Sequence, residues 1–242
     1  MNNHCTGAQL YHYGECAIVL ELEHTNKNGK STPMQAIWQL ESTLRQLWHT
    51  NPAIRDIVPG DGNLTIVFEP LLASAAQISE QLQQRWQQLA NTATQSNGDP
   101  ATAQYPTQQL EVIYGGNYGP DLAGLAGLAG LTPKQLIELH CSTAYRVAFL
   151  GFQPGFAYLQ GLDPRLQVAR RSVPRQQVPA NSLAIGGSYC GIYPAPSPGG
   201  WHIIGRYTKA QGPLFDLART QPALLAPGAS VRFVPAAASV DD

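Results

Sequence analysis

Five of the eleven arginines in this 242-residue chain fall between residues 150 and 206: Arg165, Arg170, Arg171, Arg175 and Arg206. The same stretch holds no lysine and a single acid, Asp163, so its local balance is +4. Arginine without lysine favours planar, two-pronged recognition of carboxylate or phosphate over diffuse attraction. In an extended segment, alternate residues share a face, so Arg171 and Arg175 are expected to converge and Arg170 to turn away. Two converging guanidinium groups need an anion between them. An anionic small molecule is the functional expectation; acids from elsewhere in the chain are the structural alternative.

Two loops in this stretch could line such a site. In Ser197-Pro198-Gly199-Gly200-Trp201, proline stiffens the approach and the glycine pair lets backbone N–H groups near an oxyanion, with Trp201 as an apolar wall. The same run also suits a tight hairpin anchored by a core tryptophan. Gly151-Phe152-Gln153-Pro154-Gly155-Phe156-Ala157-Tyr158 alternates rigid, permissive and aromatic residues, which fits a cleft lip or a barrel corner. The candidate anion-binding set is therefore Pro154, Gly155, Phe156, Arg171, Arg175, Ser197, Gly199, Gly200, Trp201 and Arg206. His140, beside Cys141 at a helix end, is the candidate general base; a histidine held by the helix dipole is the alternative.

Other chemistries lack their residues. Neither GxxxxGK[ST] nor GxGxxG occurs, and Ser197 has no GxSxG elbow. The six histidines never fall at HxH or HxxxH spacing, so no metal site is expected. A net charge of −1 argues against nucleic-acid or membrane-surface binding. Charged residues make up only 13% of the chain, alongside 22 glutamines. So weakly repelling a surface suits stable association with partners. The four cysteines form no CxxC pair, and MNNHCTGAQLYHYGEC lacks the basic and apolar regions of a secretory signal. Free thiols and a cytoplasmic location are expected.

The elements that must position these residues fall into two halves. Cys16–Leu22 and Leu64–Phe68 read as strands, the second introduced by the turn signal Pro59-Gly60-Asp61-Gly62. Ser31-Thr32-Pro33 caps a helix whose apolar face is Ile37, Leu40, Leu44, Leu47 and Trp48; Ile78, Leu82, Trp86 and Leu89 space a second. Residues 1–92 are thus expected as a small α+β domain, and 93–107, rich in Asn, Thr, Ser, Gly and Pro, as a linker. Beyond it come a strand at Leu110–Tyr114, a weak Leu-Ala-Gly helix at Asp121–Leu131 with small residues for close packing, and a helix capped by Thr132-Pro133. A strand at Tyr145–Leu150 and short β runs at Ser182–Ile185, Ile203–Ile204 and Leu224–Val234 complete 108–242, read as a closed or nearly closed β-barrel. The fold class expected is α+β.

The run FLGFQPGFAYLQGLDPRL, followed by RRSVPRQQVPANSLAIGGSYCGIYPAPSPGGWHIIGR, closely resembles the B-subunit family of bacterial ATP-dependent 5-oxoprolinases. That family is also called KipI-like, or allophanate hydrolase subunit 1. YGGNYGPDL, LHCSTAYRV, VPGDGNLTIVF and LLAPGASVRFVP fit the same family, so the resemblance spans nearly the whole chain. It implies that the second half is a cyclophilin-like β-barrel. It implies two partners, an A subunit of the lactam-utilisation type and a C subunit (KipA-like). The implied complex opens 5-oxo-L-proline to L-glutamate using ATP, with Mg expected at the level of the complex. A chain with this role is expected to be inactive alone. Two alternatives accompany the resemblance: a KipI-like inhibitor of a sensor histidine kinase, and a carboxyltransferase- or allophanate-hydrolase-related subunit. Asn181 stands where the family usually has glycine, and asparagine can still take a left-handed turn.

Overall fold

The computed structural model describes residues 3–5, 7–22, 34–93 and 107–237. The chain divides into two compact units, Met1–Ala103 and Gln104–Asp242. The expected linker at 93–107 and the cap at Ser31-Thr32-Pro33 fall almost wholly outside the described residues.

The first unit runs β1 (Asn3–Cys5), β2 (Ala8–Tyr13), β3 (Ala17–Leu22), α1 (Met34–Leu47), β4 (Ile54–Gly60), β5 (Asn63–Phe68) and α2 (Ala75–Ala93). Its sheet has the order β1-β2-β3-β5-β4, every pair antiparallel. Along β5, buried and half-buried residues alternate, with Leu64, Ile66 and Phe68 turned inward. Ile18 and Leu20 of β3, Ile37, Leu40 and Leu44 of α1, and Ile78, Leu82 and Trp86 of α2 are buried with them. Leu47, which the spacing puts on the apolar face, is 44% exposed, and Trp48 just past the helix is buried. Pro59 and Gly60 end β4 rather than forming the turn, which is reduced to Asp61-Gly62. β2 and most of β4 carry too many polar residues to be read from alternation alone.

The second unit runs β6 (Gln108–Tyr114), α3 (Leu122–Leu128), α4 (Pro133–Ser142), β7 (Tyr145–Leu150), β8 (Ala157–Gln160), β9 (Arg175–Val178), β10 (Ser182–Gly186), β11 (Tyr189–Ile192), β12 (Ser197–Gly199), β13 (His202–Tyr207) and β14 (Ser230–Pro235). Seven strands close a barrel in the order β10-β11-β8-β7-β14-β6-β13, while β9 and β12 pair as a separate ribbon. The expected barrel and α+β class are both observed. Only β14 and β6 pair in parallel.

Thr132 caps α4 through a reciprocal box: its hydroxyl accepts from the Gln135 N–H, and the Gln135 side chain accepts from the Thr132 N–H. In α3 the buried residues are Leu122, Leu125 and Ala126, whereas Gly124 and Gly127 face open space. The glycines therefore do not serve close packing, contrary to the sequence expectation. Asn181 takes the left-handed conformation at φ +65°, as asparagine can.

His140 of α4 is fully buried in the barrel core, against Phe233 at 4.8 Å and Tyr145 at 5.1 Å between ring centroids. Its Nδ1 lies 2.9 Å from the Tyr114 hydroxyl, and its Nε2 has no partner. Burial pushes its pKa down to about 3. The unfolded chain therefore binds the proton first, and stability falls as pH drops below about 6.5 toward 3. Chemical denaturation between pH 7 and 5 should show this loss, approaching ~1.4 kcal/mol per pH unit from this one group. His140→Gln, whatever its baseline stability, should flatten the slope; an unchanged slope would mean that the imidazole charges without unfolding.

Candidate functional site

The outer face of the barrel strands β8, β11, β10 and β13 carries a second apolar cluster, separate from the barrel interior. Phe156, Ala184, Tyr193, Trp201 and Ile203 form it with Val178 of the ribbon, and Tyr158 and Tyr189 pack at its margin. Strand alternation produces this division. Leu183, Ile185, Cys190 and Ile192 point into the barrel, while Ala184, Tyr189 and Tyr193 point out. The rings meet mostly edge to face: Phe156–Trp201 at 5.5 Å, Phe156–Tyr193 at 5.4 Å and Tyr158–Trp201 at 5.7 Å. Phe149 stacks on Tyr158 at 4.4 Å and extends the shelf toward solvent. Trp201 lies flat against Gly186, where any Cβ would strike the indole.

A strap of residues 168–174 crosses the edge of this shelf and leads into β9. Val168 bridges to Gly187, the Arg171 N–H donates to the Gly200 carbonyl at 2.8 Å, and His202 Nε2 lies 3.0 Å from the Ala169 carbonyl. The strap is locked by Asp121. Arg175 donates to both carboxylate oxygens at 2.8 Å each, Arg171 donates to Oδ1 at 3.2 Å, and the Ile203 N–H donates to Oδ2 at 2.7 Å. Asp121 returns its own N–H to the Ile203 carbonyl. Ile203 is open to these bonds because the β10–β13 register slips there, with Ala184 opposite Ile203 and Leu183 opposite Gly205. Gly119 must approach the Ile204 carbonyl closely to bring Asp121 into place, and a Cβ there would collide with it.

Arg171 and Arg175 do converge, but on Asp121. The acid between them comes from about 50 residues upstream, outside the stretch in which only Asp163 was available, and its one carboxylate against two guanidiniums leaves the cluster at +1. Burial by itself would raise the Asp121 carboxyl; the Arg175 fork, the Ile203 N–H and Arg171 outweigh it and hold the pKa below the usual carboxylate range. The other arginines also have assignments. Arg165 pairs with Asp163 through two 3.0 Å bonds, and Arg206 lies over the Tyr118 ring at 4.8 Å. Arg170 is exposed and has no carboxylate partner among the described residues.

The remaining candidates divide. Phe156 and Trp201 belong to the aromatic cluster. Gly155, at φ +82°, sits where a Cβ would press on Phe215 and the Leu214 carbonyl, and exposed Pro154 precedes it at the corner joining β7 to β8. Phe152 projects from the same corner, 59% exposed, with its ring edge against Phe156 and Tyr193. Gly199 leaves room for the Tyr193 hydroxyl, and Gly200 gives its carbonyl to the strap. The Ser197 hydroxyl is buried and has no partner, so no base activates it. His140 is not at this site. Sealed in the barrel core and held neutral by burial, it touches neither solvent nor the shelf, which removes both the general-base and the dipole-held readings. A wide depression outside α4, lined by Leu131, Gln135, Glu138, Leu139, Ser142 and Arg165, contains none of the candidate residues.

Asp121 and Tyr193 are the residues that reasoning from the sequence missed, whereas Tyr158 closes the Gly151–Tyr158 run that it named. Asp121 is visible only as part of YGGNYGPDL, with no signal in its own neighbourhood that three donors await it. Asp121→Asn is expected to lower stability by about 2–3 kcal/mol, the range for unpairing partly solvated guanidinium groups, and to expose the strap to hydrogen exchange. Because the Asp121 pKa is depressed, its contribution is full above the ordinary carboxylate range and is lost as pH falls through the lowered value. Wild type and variant should therefore converge in stability under strong acid. Equal exchange in residues 168–174 of both proteins would contradict the lock.

The chain matches the carboxyltransferase domain family, subdomains C and D, over residues 8–225. It is 41% identical over 228 residues to the 5-oxoprolinase B subunit of Escherichia coli O157:H7, covering 94% of this chain and 96% of that one. It is 39% identical over 196 residues to the protein of the same name from Haemophilus influenzae, covering 78% and 86%. Among solved structures, that of TTHA0988 superposes with a TM-score of 0.70 at 30% identity, covering 91% of this chain but only 39% of that longer one. No helix among the described residues is long and apolar enough to cross a membrane. With that length of match and that coverage on both sides, the chain belongs to the family of 5-oxoprolinase B subunits, built on carboxyltransferase subdomains C and D.

Proposed function

We propose that this protein is the B subunit of an ATP-dependent 5-oxoprolinase complex that opens 5-oxo-L-proline to L-glutamate. The observation that carries the reading is the 41% identity to a 5-oxoprolinase B subunit along nearly the full length of both chains. The partners are the A and C subunits, and the location is the cytoplasm. The open margin of the aromatic cluster, exposed Phe152 with half-buried Phe149 and Tyr158, supports the same reading, because a small lactam has an apolar ring face that aromatic side chains can cover.

Among the described residues no three of His, Cys, Asp and Glu gather as metal ligands. Arg171 and Arg175 share the single carboxylate of Asp121. The phosphoryl chemistry that activates the lactam oxygen is assigned to the assembled complex, with ATP and Mg, and this chain's part is to bind and orient. Its low charge, 13% of residues, suits burial against other subunits.

The test is co-expression with candidate A and C subunits from neighbouring reading frames, followed by assay of glutamate release from 5-oxoproline. The expected result is ATP-dependent release by the assembled complex and none by this chain alone. Turnover by the homogeneous single chain, or no turnover by any assembled complex, would overturn the reading.

A further inference from the structure

Tyr118, Asp121 and Arg206 meet along β13. The segment after β6 runs beside that strand, tied to it by the Gly115 N–H on the Ile204 carbonyl and the Asp121 N–H on the Ile203 carbonyl. Tyr118, 39% exposed, lies on Arg206, whose guanidinium carbon is 4.8 Å from the ring centroid. Arg206 is half-buried, and its Nε is sealed from solvent with no acceptor. Its two terminal nitrogens have no acceptor among the described residues either, but they reach solvent. No carboxylate of the described residues pairs with it. Glu111 of β6 stands two residues from Ile113, which is opposite Arg206, and does not reach it. Asp121 is held at Ile203, three positions along β13 and about 10 Å away, with its oxygens filled by Arg171, Arg175 and the Ile203 N–H. Three guanidiniums thus surround the Tyr118–Asp121 segment against one carboxylate.

We infer that the Arg206 guanidinium, backed by the Tyr118 ring, is a receptor for the carboxylate of a small molecule, which it holds end-on through its two terminal nitrogens. For the identity of the acid, 5-oxoproline, the inference rests on the proposed function; for the site it does not. A half-buried charge without a counter-ion is costly, and the ring's quadrupole offsets only part of that cost. A guanidinium that gives its face to a ring keeps its N–H groups, which lie in its own plane, for acceptors at its edge. With Nε sealed, the edge left open is the terminal pair, whose spacing matches the two oxygens of one carboxylate. A single unmatched charge is balanced by a monocarboxylate. The Asp121 lock contributes twice: it holds the Tyr118 segment against β13, and its own surplus positive charge lies close enough to favour an approaching anion.

Nuclear magnetic resonance of the arginine Nε–H groups tests this on the purified chain without turnover. Because the Arg206 Nε–H is sealed, it should exchange slowly and give a sharp signal, identified by its loss in Arg206→Lys. 5-Oxoproline should shift that signal and the Tyr118 and Gly119 amides saturably, whereas 2-pyrrolidinone, the same lactam without the carboxylate, should leave them in place. Read from the two amides, affinity should fall roughly tenfold or more in Arg206→Gln, the order expected for losing a charge-assisted pair. Arg206→Lys should recover part of it. Tyr118→Leu, which keeps the charge and removes its support, should weaken binding several-fold and serves if Arg206→Gln fails to fold. Arg165→Gln, which removes an equal charge from an exposed pair elsewhere, should bind as wild type does. No saturable shift with 5-oxoproline, an equal response to 2-pyrrolidinone, or wild-type affinity in Arg206→Gln or Tyr118→Leu would overturn the site. If binding depends on Arg206 but the assembled complex fails to open 5-oxoproline, the site stands and the proposed function falls. If the complex turns over and Arg206→Gln keeps the wild-type KM, the function stands and the site falls.

Discussion

The Asp121 carboxylate ties its own segment to two others that lie far from it in the chain, residues 171–175 and the backbone of Ile203. It accepts two bonds from Arg175 at the start of β9, one from Arg171 in the strap and one from the Ile203 backbone at the slipped register of β13. A partly buried carboxylate is costly unless its lone pairs are filled, and here four hydrogen bonds fill them. Without this lock, the strap and the β9–β12 ribbon would rest on a few backbone bonds and on Val178. The outer aromatic cluster would then lose its cover. The strap, and with it the bond from the Arg171 N–H to the Gly200 carbonyl, is held by where Asp121 sits.

The structure uses the two faces of the barrel sheet for different purposes. The inward face is a sealed core in which even a histidine is kept neutral. The outward face of β8, β11, β10 and β13 carries large aromatic rings that remain partly accessible along one margin. Covering such a face completely would remove its capacity to bind, and leaving it bare would invite aggregation. The ribbon covers one part, and the margin at Phe149, Phe152 and Tyr158 stays open.

Much of the fold is legible in the sequence because local rules coincide with tertiary ones. Thr132-Pro133 followed by Gln135 announces the start of α4, and the Tyr145–Leu150 strand appears where its apolar run lies. The closed barrel is legible from short β runs separated by proline and glycine. Alternation fails for β2 and β4, where a sheet face turned away from the helices carries polar residues. The site is only half legible. The arginine cluster is evident from composition; Arg171 and Arg175 do converge, though not by strand periodicity, because the chain bends at Ser172-Val173 and only Arg175 lies in β9. Their partner is not legible, because a long-range ion pair leaves no trace in local sequence. His140 shows the opposite error. Beside Cys141 at a helix end it has the look of a reactive group, but its face of α4 is turned into the barrel, and burial decides its chemistry.

The central claim is that the Asp121–Arg175 interaction organises the outer face, and a double-mutant cycle measures it directly. Unfolding free energies of wild type, Asp121→Ala, Arg175→Ala and the double variant isolate the pairwise energy from the other effects of each substitution. The account predicts a coupling of about 2–3 kcal/mol at neutral pH, because the pair is two-pronged and Asp121 is mostly shielded. A coupling within about 0.5 kcal/mol of zero would place the ion pair among ordinary surface contacts and contradict its organising role.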